Sequence, residues 1–174
     1  SLRVYVDVLL TSKYEERTEA MYDRYASRIE KILESLPGEK AILILSPSYR
    51  FQKEILDRIP EIARHSIIEH KTTRIGEVKK YLMSHPDAAI FSVARGKLAE
   101  GIDYRIRGKT ILQAVIIAGL PFPEYTLIQK QKQKYYTEKF GDEFVARFVT
   151  TIAPMVRTIL QAAGRLIRSE SDKG

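Results

Sequence analysis

The sequence predicts an α/β fold in which helices flank a mainly parallel central sheet. Three short, largely apolar runs, at residues 41–45, 88–94 and 113–118, have the length and composition of strands that are covered on both faces. Segments with the three-and-four spacing of amphipathic helices separate these runs. Strands that alternate with helices form βαβ units, whose right-handed crossovers place the strands in parallel within one sheet.

The elements of the first half follow from local spacing. Apolar side chains alternate in the Val-rich residues 2–10, which predicts a strand. They recur every three or four residues from 14 to 36, which predicts a helix that ends at Pro37-Gly38. The remaining elements before residue 88 are two helices and the short strand between them, at 49–59, 74–84 and 67–68.

The last third of the chain is predicted to be helical. Residues 126–167 are expected to form helices with breaks near Gly141 and Pro154, because glycine and proline interrupt helical patterns. No internal repeat, low-complexity stretch or linker divides the sequence. Residues 1–174 are therefore predicted to be one domain.

The composition excludes several kinds of protein and site. The 174 residues are 44% hydrophobic and 29% charged, which supplies a core and is too apolar for a disordered chain. The chain has no Cys, so it holds no disulfide, Cys-based zinc site, iron–sulfur ligand or thiol nucleophile. Its three His lack metal-ligand spacing, so no metal site is predicted. No membrane span or signal peptide is evident, which predicts a cytoplasmic location.

The positive charge is concentrated in the second half of the chain. The formal net charge is +7, and residues 88–174 carry 14 basic and 8 acidic side chains, against 15 and 14 in residues 1–87. Such an excess in one segment fits contact with a polyanion. A solvated basic surface produces the same distribution, so both interpretations stay open.

Three loops lie where the ligands of open α/β sheets bind, at the carboxyl ends of strands. They are residues 46–50, 94–103 and 119–124. The second contains a Gly-x4-Gly pattern that resembles half of a phosphate-binding loop. Ile102-Asp103 stand where that loop requires Lys and then Ser or Thr, so the chain alone is not expected to bind and hydrolyse a nucleoside triphosphate.

A further candidate site lies near the carboxyl terminus. On a helix, Gln161, Arg165 and Arg168 point from one face because they stand at i, i+4 and i+7. Gly164 removes a side chain at a place where another group approaches closely. Arginine suits phosphoryl oxygens because its planar guanidinium stays charged and donates in pairs. An amphipathic helix with solvated arginines accounts for the same spacing.

Four segments together resemble the superfamily-2 helicases of the XPD/DinG branch. Residues 94–104 (ARGKLAEGIDY) resemble motif V, and residues 161–168 (QAAGRLIR) resemble motif VI. Residues 44–49 (ILSPSY) are similar to motif IV, and Ser12-Lys13-Tyr14 with Arg17 resembles the stretch that opens the second motor domain. The segments occur in the family's order and cover nearly the whole chain, which looks most like archaeal XPD-type enzymes.

The resemblance implies a RecA-like three-layer domain that forms the second half of a helicase motor. In this family two RecA-like domains hold ATP between them, and the first domain supplies most contacts to ATP and Mg²⁺. That first domain of the same polypeptide is an implied partner, and an iron–sulfur cluster is expected outside this chain. The fragment itself is expected to hold no cofactor, to be monomeric and to be inactive alone.

The resemblance also implies roles in ATP hydrolysis. Arg165 and Arg168 would reach the γ-phosphate as arginine fingers, and Gln161 would orient them or contact the phosphates. The Asp103 carboxylate, in the motif V position, would accept hydrogen bonds from ribose or from a neighbouring arginine. The structural alternative for this residue is a helix cap or a turn acceptor. The residues implied at the nucleotide are Gly101, Asp103 and Gly164.

Single-stranded DNA is implied to cross the loops of motifs IV and V. Ser46 and Ser48 would offer hydroxyl and backbone N–H donors to a phosphate, and Arg50, Arg95 and Lys97 would add positive charge. Helix capping explains the two serines equally well.

The function implied is that of an ATP-dependent helicase that moves 5′ to 3′ on DNA and serves repair. A non-catalytic DNA- or protein-binding module with a helicase-like fold is the alternative. Such a module shares the basic second half of the chain but has no need of paired arginines.

Overall fold

Six strands and seven helices occur in residues 2–166, the part of the chain that the computed structural model describes. The strands are β1 (Ala41–Ser46), β2 (Ser66–Ile68), β3 (Ala89–Val93), β4 (Arg105–Ile106), β5 (Lys109–Thr110) and β6 (Leu112–Ile117). The helices are α1 (Glu19–Ser35), α2 (Tyr49–Leu56), α3 (Ile75–Ser84), α4 (Lys97–Glu100), α5 (Leu127–Phe140), α6 (Glu143–Arg147) and α7 (Ala153–Ala163). A 3₁₀ turn at Tyr14–Glu16 precedes α1, and a π turn at Phe148–Ile152 joins α6 to α7. None of the helices between residues 2 and 166 has the length and apolar character needed to cross a membrane.

Four strands form one parallel sheet in the order β2-β3-β1-β6. In β1, which lies inside the sheet, Leu43 is in register with Ile90 of β3 and with Val115 of β6. Every residue of β1 and β3 is buried. Two of the apolar runs in the sequence are therefore strands covered on both faces, as their composition predicts.

Helices cover the sheet on both faces. On one face, α1 and α2 pack together, and Tyr22 and Tyr25 each meet the Phe51 ring edge-on with centroids 5.2 Å apart. On the other face, α3, α4 and α7 pack around Leu43 and Ile90. The three layers of helix, sheet and helix confirm the predicted α/β class with a mainly parallel central sheet.

Two predictions for the amino-terminal segment are wrong. Residues 2–10 form no strand, because none of the strands described between residues 2 and 166 pairs with them. Their alternation buries no face, and Val4 and Val8 are 75% and 84% exposed. The helix predicted to start at residue 14 starts later, at Glu19, because the Thr18 hydroxyl caps α1 by accepting the Met21 N–H at 3.3 Å.

One of the two breaks predicted for the carboxyl-terminal helices is confirmed. Gly141 ends α5 in the left-handed conformation, with φ at +66°. The break near Pro154 is wrong, since this proline lies in the first turn of α7 and the helix continues into it through the π turn. Proline has no N–H for the Thr150 carbonyl, and the Gln129 side-chain amide donates to that oxygen at 2.6 Å instead.

Two short elements between β3 and β6 have no counterpart in the sequence prediction. The four residues of α4 are too few for a helical period to show. The strands β4 and β5 are joined by Arg107-Gly108, and both of these residues have positive φ, at 50° and 79°. That backbone is typical of the tight turn of a two-residue hairpin, for which Asn-Gly is the usual sequence.

Candidate functional site

A cavity of about 420 Å³ lies at the carboxyl ends of β1 and β3. The loop after β3 and the helix α4 contribute Arg95 and Glu100 to its lining. The end of α7 and the turn that follows contribute Gln161, Gly164 and Arg165. The fold thus brings together two segments that the sequence singled out separately, one after β3 and one near the carboxyl terminus.

Arg165 fastens the end of α7 to the segment that follows α4. Its guanidinium donates from Nη1 to the Ile102 carbonyl and from Nη2 to the Glu100 carbonyl, the latter at 2.8 Å. The Arg165 carbonyl accepts the Thr110 hydroxyl at 3.4 Å. A guanidinium has five N–H donors, so two bonds to carbonyls hold the side chain in place without exhausting its capacity for an anion.

Of the other candidates near the carboxyl terminus, Gln161 and Gly164 lie within the described residues. Gln161 lines the cavity beside Arg165, as the helical spacing predicts. At Gly164 a Cβ atom would lie 3.3 Å from the Leu160 carbonyl oxygen, and its nearest neighbours all belong to the backbone of its own helix. Among the described residues no other packed element approaches Gly164 closely, and the glycine instead lines the cavity. Arg168 lies outside the described residues.

Gly101 and Asp103 do not line this cavity. Gly101 ends α4, and a Cβ atom there would lie 2.7 Å from the Lys97 carbonyl oxygen and 2.8 Å from Ile75 Cδ1. The Asp103 carboxylate accepts hydrogen bonds from the Arg105 guanidinium, which donates from Nε to Oδ1 at 3.1 Å and to Oδ2 at 3.2 Å, and from Nη2 to Oδ2 at 3.0 Å. Both residues thus have packing or pairing roles within residues 2–166 that require no ligand.

The two candidate serines, one at the end of β1 and one in the loop after it, have structural partners. Ser46 is 2% exposed, and its carbonyl accepts the Ala94 N–H at 2.8 Å. The Ser48 hydroxyl caps α2 by accepting the Phe51 N–H at 3.2 Å. For Ser48 the capping interpretation, which the sequence left open, is what the structure shows. Arg50 is exposed in the first turn of α2.

The two cations of the loop after β3 differ in their surroundings. Arg95 is exposed and adopts the left-handed conformation with φ at +68°. It lines both the 420 Å³ cavity and a neighbouring groove of about 590 Å³ beside α5 and the π turn. Lys97 donates from Nζ to the Lys71 and Thr73 carbonyls at 2.8 and 3.1 Å, so its ammonium is bound to the loop between β2 and α3.

Glu69 is a residue of this region that the sequence analysis missed. It follows β2 directly and is 0% exposed. Its carboxylate accepts hydrogen bonds from the backbone N–H groups of Lys97 and Leu98 and from the hydroxyls of Ser92 and Tyr49. Burial and the Glu69 carboxylate raise the pKa of the Tyr49 hydroxyl. The sequence did contain a sign of this role, a carboxylate at the carboxyl end of a short apolar strand. A carboxylate that is buried there requires hydrogen-bond donors around it.

Residues 29–174 match the family model described as the helicase C-terminal domain. The chain belongs to this family. It is 32% identical over 177 residues to the ATP-dependent DNA helicase XPD of Sulfolobus acidocaldarius, an alignment that covers 99% of this chain and 30% of that protein. It is 29% identical over 140 residues to the 3′-5′ exonuclease DinG of Staphylococcus saprophyticus, covering 78% of this chain and 14% of that protein.

A solved structure of an XPD helicase matches this helicase C-terminal domain with a TM-score of 0.80 and 30% sequence identity. The match covers 95% of this chain and 29% of the solved chain. The predicted relation to XPD/DinG-type superfamily-2 helicases is thereby confirmed. The helicase C-terminal domain spans less than a third of the length of these relatives.

Proposed function

We propose that this helicase C-terminal domain is the second motor domain of an ATP-dependent DNA helicase that moves 5′ to 3′ and acts in DNA repair. Residues 1–174 would form one RecA-like domain within a longer polypeptide. The cavity where Gln161 and Arg165 meet Arg95 and Glu100 carries the proposal. A phosphate chain held at such a cavity by a second domain would face one cation from the loop after β3, Arg95, and one from the end of α7, Arg165.

In the proposed mechanism, ATP bound by the first motor domain closes the cleft against this cavity. Arg165, together with Arg168, stabilises the charge that shifts onto the leaving group, and Gln161 orients the guanidinium. The two carbonyl bonds of Arg165 hold its side chain at the carboxyl end of α4, so little ordering is needed when the cleft closes.

The metal and the cluster of the complete enzyme are assigned to the first domain. Within residues 2–166 no three His, Asp or Glu side chains form a group able to hold a metal ion, and the whole chain lacks Cys. Mg²⁺ would neutralise phosphate charge during transfer. We assign its ligands to the first domain because of the resemblance to the family, and the thiolates of an iron–sulfur cluster cannot come from this Cys-free chain.

Single-stranded DNA would run along the loops that follow β1 and β3. Arg50, Arg95 and Lys97 are exposed cations there, although the Lys97 ammonium is already bound to two backbone carbonyls. Ser48 presents the amino end of α2. Arg95 borders both this surface and the cavity. A change in the cavity on nucleotide binding would thus reach a DNA contact through Arg95. Such a link is needed if the domain binds and releases DNA in alternation as ATP is hydrolysed.

The 174-residue chain alone is expected to show no ATP hydrolysis above background, with or without single-stranded DNA. It lacks the Lys and Ser or Thr of a phosphate-binding loop, which grip the terminal phosphates and Mg²⁺ in comparable enzymes. Phosphate release under multiple-turnover conditions measures this, with the complete parent polypeptide as the control. DNA-stimulated turnover by the chain alone would contradict the assignment of these groups to another domain. Absence of turnover in the parent would contradict the proposed helicase function.

Replacing Arg95 by alanine in the complete parent is expected to weaken binding of single-stranded DNA without nucleotide. Loss of one phosphate contact should lower the salt dependence of log K by about 0.7 and the affinity by about three- to tenfold at low salt. Fluorescence anisotropy of a labelled oligothymidine measures both. Lys31→Ala is the matched control, since Lys31 is an exposed cation near the end of α1, which leads to the amino end of β1. Equal effects of the two substitutions would contradict a DNA contact at Arg95.

A further inference from the structure

We propose that Glu69 is a positioning residue that binds the motif V loop to α2, the helix that follows motif IV. It would thereby fix the distance between the two loops that are proposed to contact DNA. The proposal rests on the proposed helicase function and deepens it. Glu69 contacts no substrate in it. The residue would act through the loop at Gly96–Lys97 and through α2, which begins just after Ser48.

The Glu69 carboxylate is buried and is satisfied by neutral donors. The four are the Ser92 hydroxyl at 2.5 Å, the Lys97 N–H at 2.7 Å, the Leu98 N–H at 3.2 Å and the Tyr49 hydroxyl at 3.3 Å. Taking a carboxylate fully out of water costs several kcal/mol unless hydrogen bonds replace its hydration. Each of these donors is therefore held firmly, because its loss would leave a buried charge short of partners.

The carboxylate takes the place of a helix cap at the start of α4. The residue before the helix is Gly96, which has no side chain to accept the N–H groups of the first turn. Glu69 accepts two of them, from Lys97 and Leu98. A Cβ atom at Gly96 would lie 2.6 and 2.7 Å from the carboxylate oxygens, so the glycine leaves the space that Glu69 occupies.

The same residue is bound to α2 by two contacts, one of them from the four donors above. The Tyr49 hydroxyl reaches its carboxylate, and the Gln52 side-chain amide donates to its backbone carbonyl at 3.1 Å. Gln52 is 3% exposed, so this contact is also sealed from water. Glu69 thus links the loops that follow β1 and β3, in addition to the bond between the Ser46 carbonyl and the Ala94 N–H.

A fixed distance between these two loops matters most for a ligand that contacts both. A DNA strand that bridges them binds best when its contacts are already in place, because ordering the loops at binding costs affinity. In the proposed mechanism ATP would meet Arg165, which binds the Glu100 and Ile102 carbonyls at the carboxyl end of α4. Glu69 instead binds the amino end of this helix. Loss of the Glu69 carboxylate is therefore expected to act on DNA more than on ATP.

The test is Glu69→Gln in the complete parent helicase, which keeps the side-chain volume but replaces one acceptor oxygen by an N–H donor. The concentration of oligothymidine that half-stimulates ATP hydrolysis is expected to rise about tenfold, while the KM for ATP stays within twofold. Glu77→Gln, at an exposed carboxylate on α3, is the matched control and should change neither quantity. An unchanged half-stimulating concentration in Glu69→Gln would overturn the proposal, as would an equal rise in the KM for ATP.

A second variant covers the case in which Glu69→Gln does not fold. Ser92→Ala removes one of the four donors and leaves the carboxylate in place, so the half-stimulating DNA concentration should rise about threefold. No shift in a folded Ser92→Ala protein would overturn the proposal. Failure of the helicase function itself gives a different result, since the unmodified parent would then show no DNA-stimulated hydrolysis at all.

Discussion

Replacement of Arg165 by alanine in the complete helicase is expected to lower the rate of DNA-stimulated ATP hydrolysis by about 10³- to 10⁵-fold, the contribution of arginine fingers in comparable enzymes. The guanidinium lines the cavity and is held there by two backbone carbonyls, so its loss removes a charge that is already in place. Arg165→Lys should be nearly as impaired, because an ammonium lacks the planar pair of donors. Single-turnover hydrolysis at saturating ATP and DNA measures the effect.

The control for this prediction lies on the same helix. Arg157 is exposed on α7 and does not line the cavity, so Arg157→Ala should hydrolyse ATP at close to the normal rate. Arg165→Ala also removes two hydrogen bonds to the segment after α4, which costs about 1–3 kcal/mol of stability. Thermal unfolding of each variant therefore sets a temperature at which all of them are folded when rates are compared.

The affinity for DNA decides between the two functions that the sequence left open. A motor domain predicts that Arg165→Ala binds single-stranded DNA within about twofold of the unmodified protein, because only transition-state charge is lost. If the domain is a non-catalytic binding module, Arg165→Ala should instead lose affinity for single-stranded DNA. Hydrolysis at the normal rate together with a tenfold loss of DNA affinity would support that alternative and contradict the arginine-finger assignment.

The parts of the fold that the sequence predicted are those with a strong local pattern. Residues 41–45 and 88–94 are largely apolar on both faces and short, which is typical of a strand inside a covered parallel sheet. The alternation in residues 2–10 is equally regular, yet it forms no strand, because pairing depends on a neighbour that local pattern does not specify. The helix α4 has one turn and leaves no period to detect.

For the candidate site, the structure bears on the positions of the predicted side chains, and their roles stay predictions. Gln161 and Arg165 do share a cavity with the loop after β3. The bond between Arg165 and the Ile102 carbonyl was not predictable, because it depends on how α7 packs against α4. The role of Glu69 was not predicted for the same reason, since its hydrogen-bond partners come from β3, α2 and α4, which are distant from it in sequence. Contacts between elements are decided by tertiary packing rather than by spacing along the chain.

Gly101→Ala is expected to destabilise the 174-residue chain by about 2–3 kcal/mol, a fall in Tm of about 5–10 °C. The new Cβ would lie 2.7 Å from the Lys97 carbonyl oxygen, which is backbone and accepts the Gly101 N–H, and 2.8 Å from Ile75 Cδ1. The isoleucine can rotate away, but the carbonyl cannot move without opening the end of α4. Scanning calorimetry or circular dichroism measures the shift.

Gly76→Ala is the matched control, because it makes the same chemical change next to Ile75. No atom lies within 4 Å of a Cβ at Gly76, and alanine is favoured over glycine in a helix by up to about 1 kcal/mol, so its Tm should rise slightly. The two substitutions are thus expected to have opposite signs. If Gly101→Ala is instead as stable as the unmodified chain but raises the KM for ATP of the complete helicase, the glycine serves the close approach of the nucleotide. The packing of α4 on α3 would then not be its reason.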